Sequence, residues 1–356
     1  MRRAIGDFFS AAWLRGLTFS KAIGLFRLSA WRTQGYLKIL CYHGFDPEGG
    51  DSFSDIFMTP ELFEQRMRWL KKNGFQVWSL DRATRAFERG ELPRNVVVIT
   101  VHDGFYSFYK YAAPVLKELG FTATVYVTTY YVKKQCPIFR LAVQHMLFYS
   151  PLRERSKLSV MRGFLFEQSP PESTLREVTW AVIDRAEREG TEVQRQSLLV
   201  EMGRLLGVDA QELAESRRLS LMSEIEIREL AAEGFDIQLH THRHRFPPDE
   251  KTMIREIEEN RKILEPIVGR TLHHFCYPSG FWEKRQLETL KRLGVRSATT
   301  CDPLLNAPGE SLLTLRRFCD FEGFSWIEFE SVLSGYRLYF LWLLHLRFKI
   351  KDRLGV

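Results

Sequence analysis

The sequence predicts an α/β protein with a mostly parallel sheet. Short apolar runs alternate with helical stretches from residue 38 to 128, and the alternation resumes after Ser223. Strands joined by crossover helices leave that pattern. The run Val96-Val97-Val98 leads into Ile99-Thr100-Val101-His102-Asp103-Gly104, a buried strand that delivers an imidazole and a carboxylate to its end, where α/β folds place their chemistry. A chain of 356 residues holds one large barrel-like domain with insertions, or two ordinary domains.

The elements follow in order. Lys38 to Tyr42 reads as a first strand ending at His43-Gly44, and Asp46 to Asp55 as a Gly- and Asp-rich loop. Thr59-Pro60 starts a helix, with a hydroxyl cap and proline at its first position. Phe63, Met67 and Leu70 are its inner face, and Asn73-Gly74 stops it. Phe75 to Trp78 is a short strand, Asp81 to Arg89 a helix, Val96 to Thr100 the central strand, Ala112 to Leu119 a helix and Ala123 to Val127 a strand. Later, Ser223 and Glu226 form a capping box before a helix stopped by Gly234. Phe235 to Leu239 is a strand running into His240-Thr241-His242-Arg243-His244. Met253, Ile257, Leu264 and Ile267 mark a long helix, His274 to Tyr277 a strand, Arg285 to Leu293 a helix and Val295 to Thr299 a strand. Residues 133–220 are charged and helical and read as an insertion, of the kind that forms a lid or a substrate-selecting wall beside a site.

The ends differ from the middle. Residues 1–36 mix Phe8, Phe9, Trp13, Leu17, Phe26 and Trp31 with Arg2, Arg3, Arg15, Lys21, Arg27 and Arg32. The charges break every apolar run short of a bilayer span, and Asp7 and Arg15 interrupt any signal-peptide core. Residues 336–356 form a second basic aromatic segment. Such segments either lie in a membrane headgroup region or pack as ordinary helices. The expected location is cytoplasmic, or peripheral on the inner membrane face.

Composition is that of a folded globular chain, 45% apolar and 27% charged. A net charge of +7 is compatible with nucleic acid, an anionic membrane or a phosphorylated substrate. The cations are spread rather than gathered in a recognisable module, so no nucleic-acid partner is expected. Five scattered cysteines without a CxxC argue against a disulfide framework or an all-cysteine zinc site. Cys41 and Cys276 read as small core residues.

The chemistry gathers in three segments. Asp103 offers one oxygen, while His240 and His244, four apart after a strand, offer two imidazoles; such a set holds a divalent metal with positions left for water and substrate. The third segment is Cys276-Tyr277-Pro278-Ser279-Gly280.

These segments resemble the polysaccharide deacetylase family, the NodB-homology enzymes that remove acetyl groups from N-acetylated sugars. Thr100-Val101-His102-Asp103-Gly104 stands where the family has T-F-D-D-G, His240-Thr241-x-x-His244 where it has H-[ST]-x-x-H, and Tyr277-Pro278-Ser279-Gly280 matches its Y-P-x-G. Tyr42-His43 and Arg316-Arg317 look like the exopolysaccharide branch. The resemblance covers roughly residues 37–130 and 219–335. It implies a partial, distorted (β/α)7-type barrel, interrupted by the 133–220 insertion and carrying the amphipathic terminal segments 1–36 and 336–356. It also implies a divalent metal, zinc foremost, on Asp103, His240 and His244, water attack on an amide carbonyl, and an oxyanion contact at Tyr277-Pro278.

Two departures stand out. The position of the family's usual Asp base is His102, which leaves three readings: His102 is the base, with His43 as a substitute; His102 is a further metal ligand; or the chain is an impaired relative that still binds metal and glycan. The family's late L-x-H acid has no evident counterpart; Leu344-His345, His43, His242 and His274 are weak candidates. The expected activity is metal-dependent deacetylation of an N-acetylated sugar, polymeric or lipid- or nucleotide-linked. Deformylation of a lipid-linked amino sugar is the alternative within the same chemistry.

Overall fold

The computed structural model describes residues 2–48, 56–165 and 173–338, with side chains from residue 11 onward. The described residues form ten strands: β1 (Lys38–Tyr42), β2 (Gly44–Phe45), β3 (Phe57–Met58), β4 (Gln76–Val77), β5 (Val96–Val101), β6 (Thr124–Val127), β7 (Asp236–Leu239), β8 (His274–Cys276), β9 (Ser297–Thr299) and β10 (Phe318–Cys319). The main sheet runs β10-β1-β5-β6-β7-β8-β9, with β4 beside the start of β5, and every pairing in it is parallel. Parallel strands need helical crossovers that cover both faces. β1 and β5 are accordingly buried at every position. The sheet curls, and its edges are bridged: Leu315 N–H donates to Ala298 O at 2.9 Å, and Thr300 N–H to Leu315 O at 2.7 Å. The same segment continues into β10, which pairs with β1.

Because all strands run one way, their C-terminal ends share one rim. Tyr42, Val101, Val127, Leu239, Cys276, Thr299 and Cys319 each end a strand there, and the residues that follow supply the chemistry.

Helix ends form where the sequence places them. Thr59 caps the helix Pro60–Lys72, and the Ser223–Glu226 capping box opens Glu224–Ala232. The stretch 46–55, read as a loop, is flanked by a small parallel pair, β2 with β3; residues 49–55 lie outside the described residues. The insertion consists of helices Phe139–Tyr149, Glu154–Gly163, Leu175–Glu189, Glu192–Leu206 and Ala210–Glu215. Its ends return side by side, with Ile138 N–H on Leu219 O at 3.0 Å. Phe139, Met146, Ile183 and Met202 are buried in one apolar cluster with Val97, Ile99 and Val101 of β5 and Val125 and Val127 of β6. The N-terminal segment is two helices, Arg2–Ala22 and Leu25–Arg32. Residues 339–356, with Leu344-His345, lie outside the described residues.

Candidate metal centre and active site

Asp103 follows β5 with φ 64°, and Gly104 behind it has φ 85°. This left-handed pair turns the chain sharply enough to aim the carboxylate across the rim. A Cβ on Gly104 would meet the Val127 side chain at 3.0 Å. After β7, Thr241 (φ 64°) and His244 (φ 55°) bend the chain so that both histidines face Asp103. Strained backbone of this kind collects where a site imposes it. His240 Nε2 stands 3.1 Å, and His244 Nε2 3.5 Å, from Asp103 Oδ1.

The orientation of His240 is fixed from behind. Its Nδ1 lies 2.9 Å from the Cys276 carbonyl oxygen, so Nδ1 donates and Nε2 presents its lone pair forward. Its backbone N–H donates to Asn260 Oδ1 at 2.9 Å, and the Asn260 amide donates to Val127 O at 2.9 Å. Asp103 Oδ1 and His240 Nε2 are buried and have no hydrogen-bond partner. Orphaned polar atoms in a folded interior call for an explanation. Two acceptor atoms turned toward each other suit a cation between them, and the Asp103, His240 and His244 ligand atoms all lie within 4.8 Å of one another. Burial alone would raise the Asp103 pKa, but His244, His240 and His43 outweigh it and hold the carboxylate well below its usual range.

On the other side of the same rim stands His102. It is buried, with its ring 4.9 Å from that of His240 and 4.5 Å from that of His43. Arg317 Nη1 donates to His102 Nε2, which assigns the ring hydrogen to Nδ1. Burial, then Arg317, push the His102 pKa well below the ordinary value, so the ring is neutral. Arg317 is fully buried; it also donates to Thr300 O at 2.7 Å and reaches Cys276 Sγ at 3.3 Å and Cys301 Sγ at 3.6 Å. Cys276 is thus a core residue, as expected, and in addition a contact of this guanidinium. The family pattern pointed at Arg316-Arg317 without showing that the second of them meets His102.

His43 lines the cavity above these groups; burial lowers its pKa to about 4, and among the described residues neither of its ring nitrogens has a hydrogen-bond partner. The cavity, about 480 Å³, is walled by His102, Asp103, His244 and Ser279 from the rim and by Ile138, Arg140, Leu141 and Glu187 from the insertion. The insertion therefore forms one wall of the site.

Other expected residues fall elsewhere. The Tyr277 backbone N–H, expected to meet an oxyanion, donates to Thr299 O at 3.1 Å as part of the strand pairing, and the Tyr277 hydroxyl donates to Leu313 O at 2.9 Å. That donor is already engaged. Pro278 is buried and starts a single turn; beyond it Ser279 lines the cavity and Gly280, at φ 76°, packs so closely that a Cβ would meet Cys301 N at 2.8 Å. His242 is turned aside, its Nδ1 2.8 Å from Thr129 Oγ1. His274 sits at the opposite end of β8, against Ser297 Oγ at 2.8 Å and away from the rim.

The sequence model of the polysaccharide deacetylase family matches residues 205–298, which span β7, His240 to His244, β8 and the Tyr277-Pro278 turn. Residues 205–298 are thus similar to the polysaccharide deacetylase family. YxkH of Bacillus subtilis, a candidate polysaccharide deacetylase, is 33% identical over 103 residues, 28% of this chain and 35% of that protein. The poly-beta-1,6-N-acetyl-D-glucosamine N-deacetylase of Escherichia coli is 33% identical over 94 residues, 26% of this chain and 14% of that one. The matched stretches thus span about a third and a seventh of these relatives. Among solved structures, the fold is similar to the Streptococcus pyogenes deacetylase PplD (TM-score 0.56, 19% identity, 85% of this chain and 99% of that one). It is also similar to IcaB from Ammonifex degensii (TM-score 0.53, 19% identity, 84% and 97%). The curled parallel sheet is the deacetylase-family fold.

Proposed function

We propose that this protein is a metal-dependent hydrolase of the polysaccharide deacetylase family that removes the acyl group from an N-acetylated sugar. The observation that carries this reading is the pair of buried, unpartnered acceptors, Asp103 Oδ1 and His240 Nε2, completed by His244. These three residues would hold a divalent cation, with zinc the best match to two imidazoles and one carboxylate. A cation held there would supply Lewis-acid chemistry, polarising an amide carbonyl and lowering the pKa of water.

The chain's own groups divide the remaining work. Asn260 and the Cys276 carbonyl fix the His240 ring. Of the two imidazoles proposed as base, His102 has given its Nε2 lone pair to Arg317 and offers only an N–H, whereas His43 is neutral at pH 7 with open ring nitrogens over the cavity. His43 is the better acceptor for the proton of an attacking water. The insertion wall of Ile138, Arg140 and Leu141 receives the rest of the substrate and limits water entry. A lipid-linked saccharide is the finer form of this proposal, supported by the cationic aromatic terminal segments.

A second reading is favoured by one specific contact, that of Arg317 with His102: an impaired hydrolase that retains metal and glycan binding. The test is metal content together with amine release from a panel of N-acetylated sugars, for the wild type and His102→Asp. The proposal expects about one equivalent of divalent metal and chelator-sensitive amine release from the wild type. Metal without amine release, cured by His102→Asp, selects the impaired reading. Absence of bound metal overturns both.

A further inference from the structure

The N-terminal helix pair packs on residues 328–336, although some 300 residues separate them. Trp13 Nε1 donates to Glu328 Oε1 at 3.2 Å, with |i−j| of 315. Ser20 Oγ lies 2.9 Å from the Tyr336 hydroxyl, the Phe26 and Tyr336 rings are 5.0 Å apart, and Lys21 pairs with Glu330. Thr33 packs so tightly on Gly335 that a Cβ there would meet Thr33 Oγ1 at 2.5 Å. Leu17, Ser20, Phe26, Ser29 and Thr33 are buried by these contacts, so one face of the helix pair is fixed to the domain.

The other face is left with large apolar side chains. Phe19 is 65% exposed, Ile23 55%, Leu28 45% and Trp31 57%. Phe19 and Ile23 are four apart, Leu28 and Trp31 three apart, so each helix presents a stripe. These are four of the fourteen exposed large apolar residues among the described residues, gathered within thirteen positions. Arg15, Arg27 and Arg32 are exposed among them, and residues 11–36 contain no Asp or Glu.

We infer that the outer face of the Arg2–Ala22 and Leu25–Arg32 helix pair docks the protein on an anionic lipid surface. Apolar side chains with a tryptophan among them settle at the headgroup boundary, while arginines lie along the surface with their heads on phosphate. A second copy of the chain fits this face poorly, because a two-fold interface would set the arginines against one another. None of the described helices is long and apolar enough to cross a membrane, so the contact is peripheral. The inference stands apart from the deacetylase proposal and does not depend on it.

The test is flotation of the full chain with vesicles of phosphatidylcholine alone, or with about one third phosphatidylglycerol, at low and high salt. Binding to the anionic vesicles, suppressed by salt, is expected. Arg27→Ser with Arg32→Ser should weaken it about fivefold for each cation removed. Phe19→Ser with Trp31→Ser should reduce it at least about tenfold even at low salt. All four side chains are exposed, so thermal unfolding of both variants should match the wild type. Failure of the wild type to float, or equal flotation of wild type and both variants, overturns the inference. So does a dimer in sedimentation equilibrium that Trp31→Ser dissolves, since the face would then be a protein interface.

Discussion

His240 and His102 stand 4.9 Å apart on one rim, yet their neighbours make them opposite chemical objects. His240 turns a lone pair toward a carboxylate, with its other nitrogen anchored to a carbonyl. His102 turns its lone pair into a guanidinium. The same side chain is a proposed metal ligand in one place and a neutral, capped ring in the other. The residue type is legible in a sequence; which ion sits against it is not.

The largest effect should come from emptying the first side. His240→Ala should weaken zinc binding by well over the roughly 10–100-fold typical of losing an outer partner of a metal ligand, and reduce amine release to background. Metal content by mass spectrometry and the amine assay check both. The reverse change on the second side separates the two readings: in an impaired enzyme His102→Asp gives Arg317 a carboxylate, supplies a general base and raises amine release on the order of 10²–10⁴-fold. With His43 as the working base, the wild type is already active and the rate changes little.

Two buried arginines extend the comparison to stability. Arg66 is paired with Asp320, which also accepts from the Tyr42 hydroxyl at 3.0 Å. Arg317 has no carboxylate partner among the described residues. Asp320→Ala should therefore cost about 3–5 kcal/mol by leaving Arg66 buried and alone, whereas Arg317→Met should cost only about 1–3 kcal/mol, since it strands no charge but leaves the buried His102 Nε2 and Thr300 O without a donor. Denaturant unfolding of the two variants decides this.

The smallest effect is a proton count. Burial pulls the metal-free His240 down, but Cys276 and Asp103 outweigh it and push the pKa to about 10. Without a metal, Nε2 therefore holds a proton against Asp103 at pH 7, and its lone pair is offered only when a metal ion displaces that proton. Binding should release about one proton, and affinity should rise with pH up to about 10. His102, already neutral, adds nothing. Calorimetry in buffers of different ionisation enthalpy gives the count; no release would mean that His240 is not a ligand.

The sequence by itself determined the alternation of strands and helices, the helix caps at Thr59 and Ser223, and the placement of Asp103, His240 and His244 at strand ends. Those features are local: apolar runs, capping residues and a four-residue spacing are each written within a few positions. It also carried the amphipathic character of residues 1–36, while leaving open whether that segment packs or faces a membrane. Tertiary structure decided that one side of the helix pair packs on Tyr336 and Glu330 and that the other remains exposed. It alone brought Ile138 and Arg140 of the insertion to the cavity, engaged the Tyr277 N–H with Thr299, and set Arg317 against His102. Each of these is a pairing between segments far apart in the chain. Parallel strands and long crossovers bring such segments together only after the sheet has curled, and no local pattern records which partner a buried lone pair will meet.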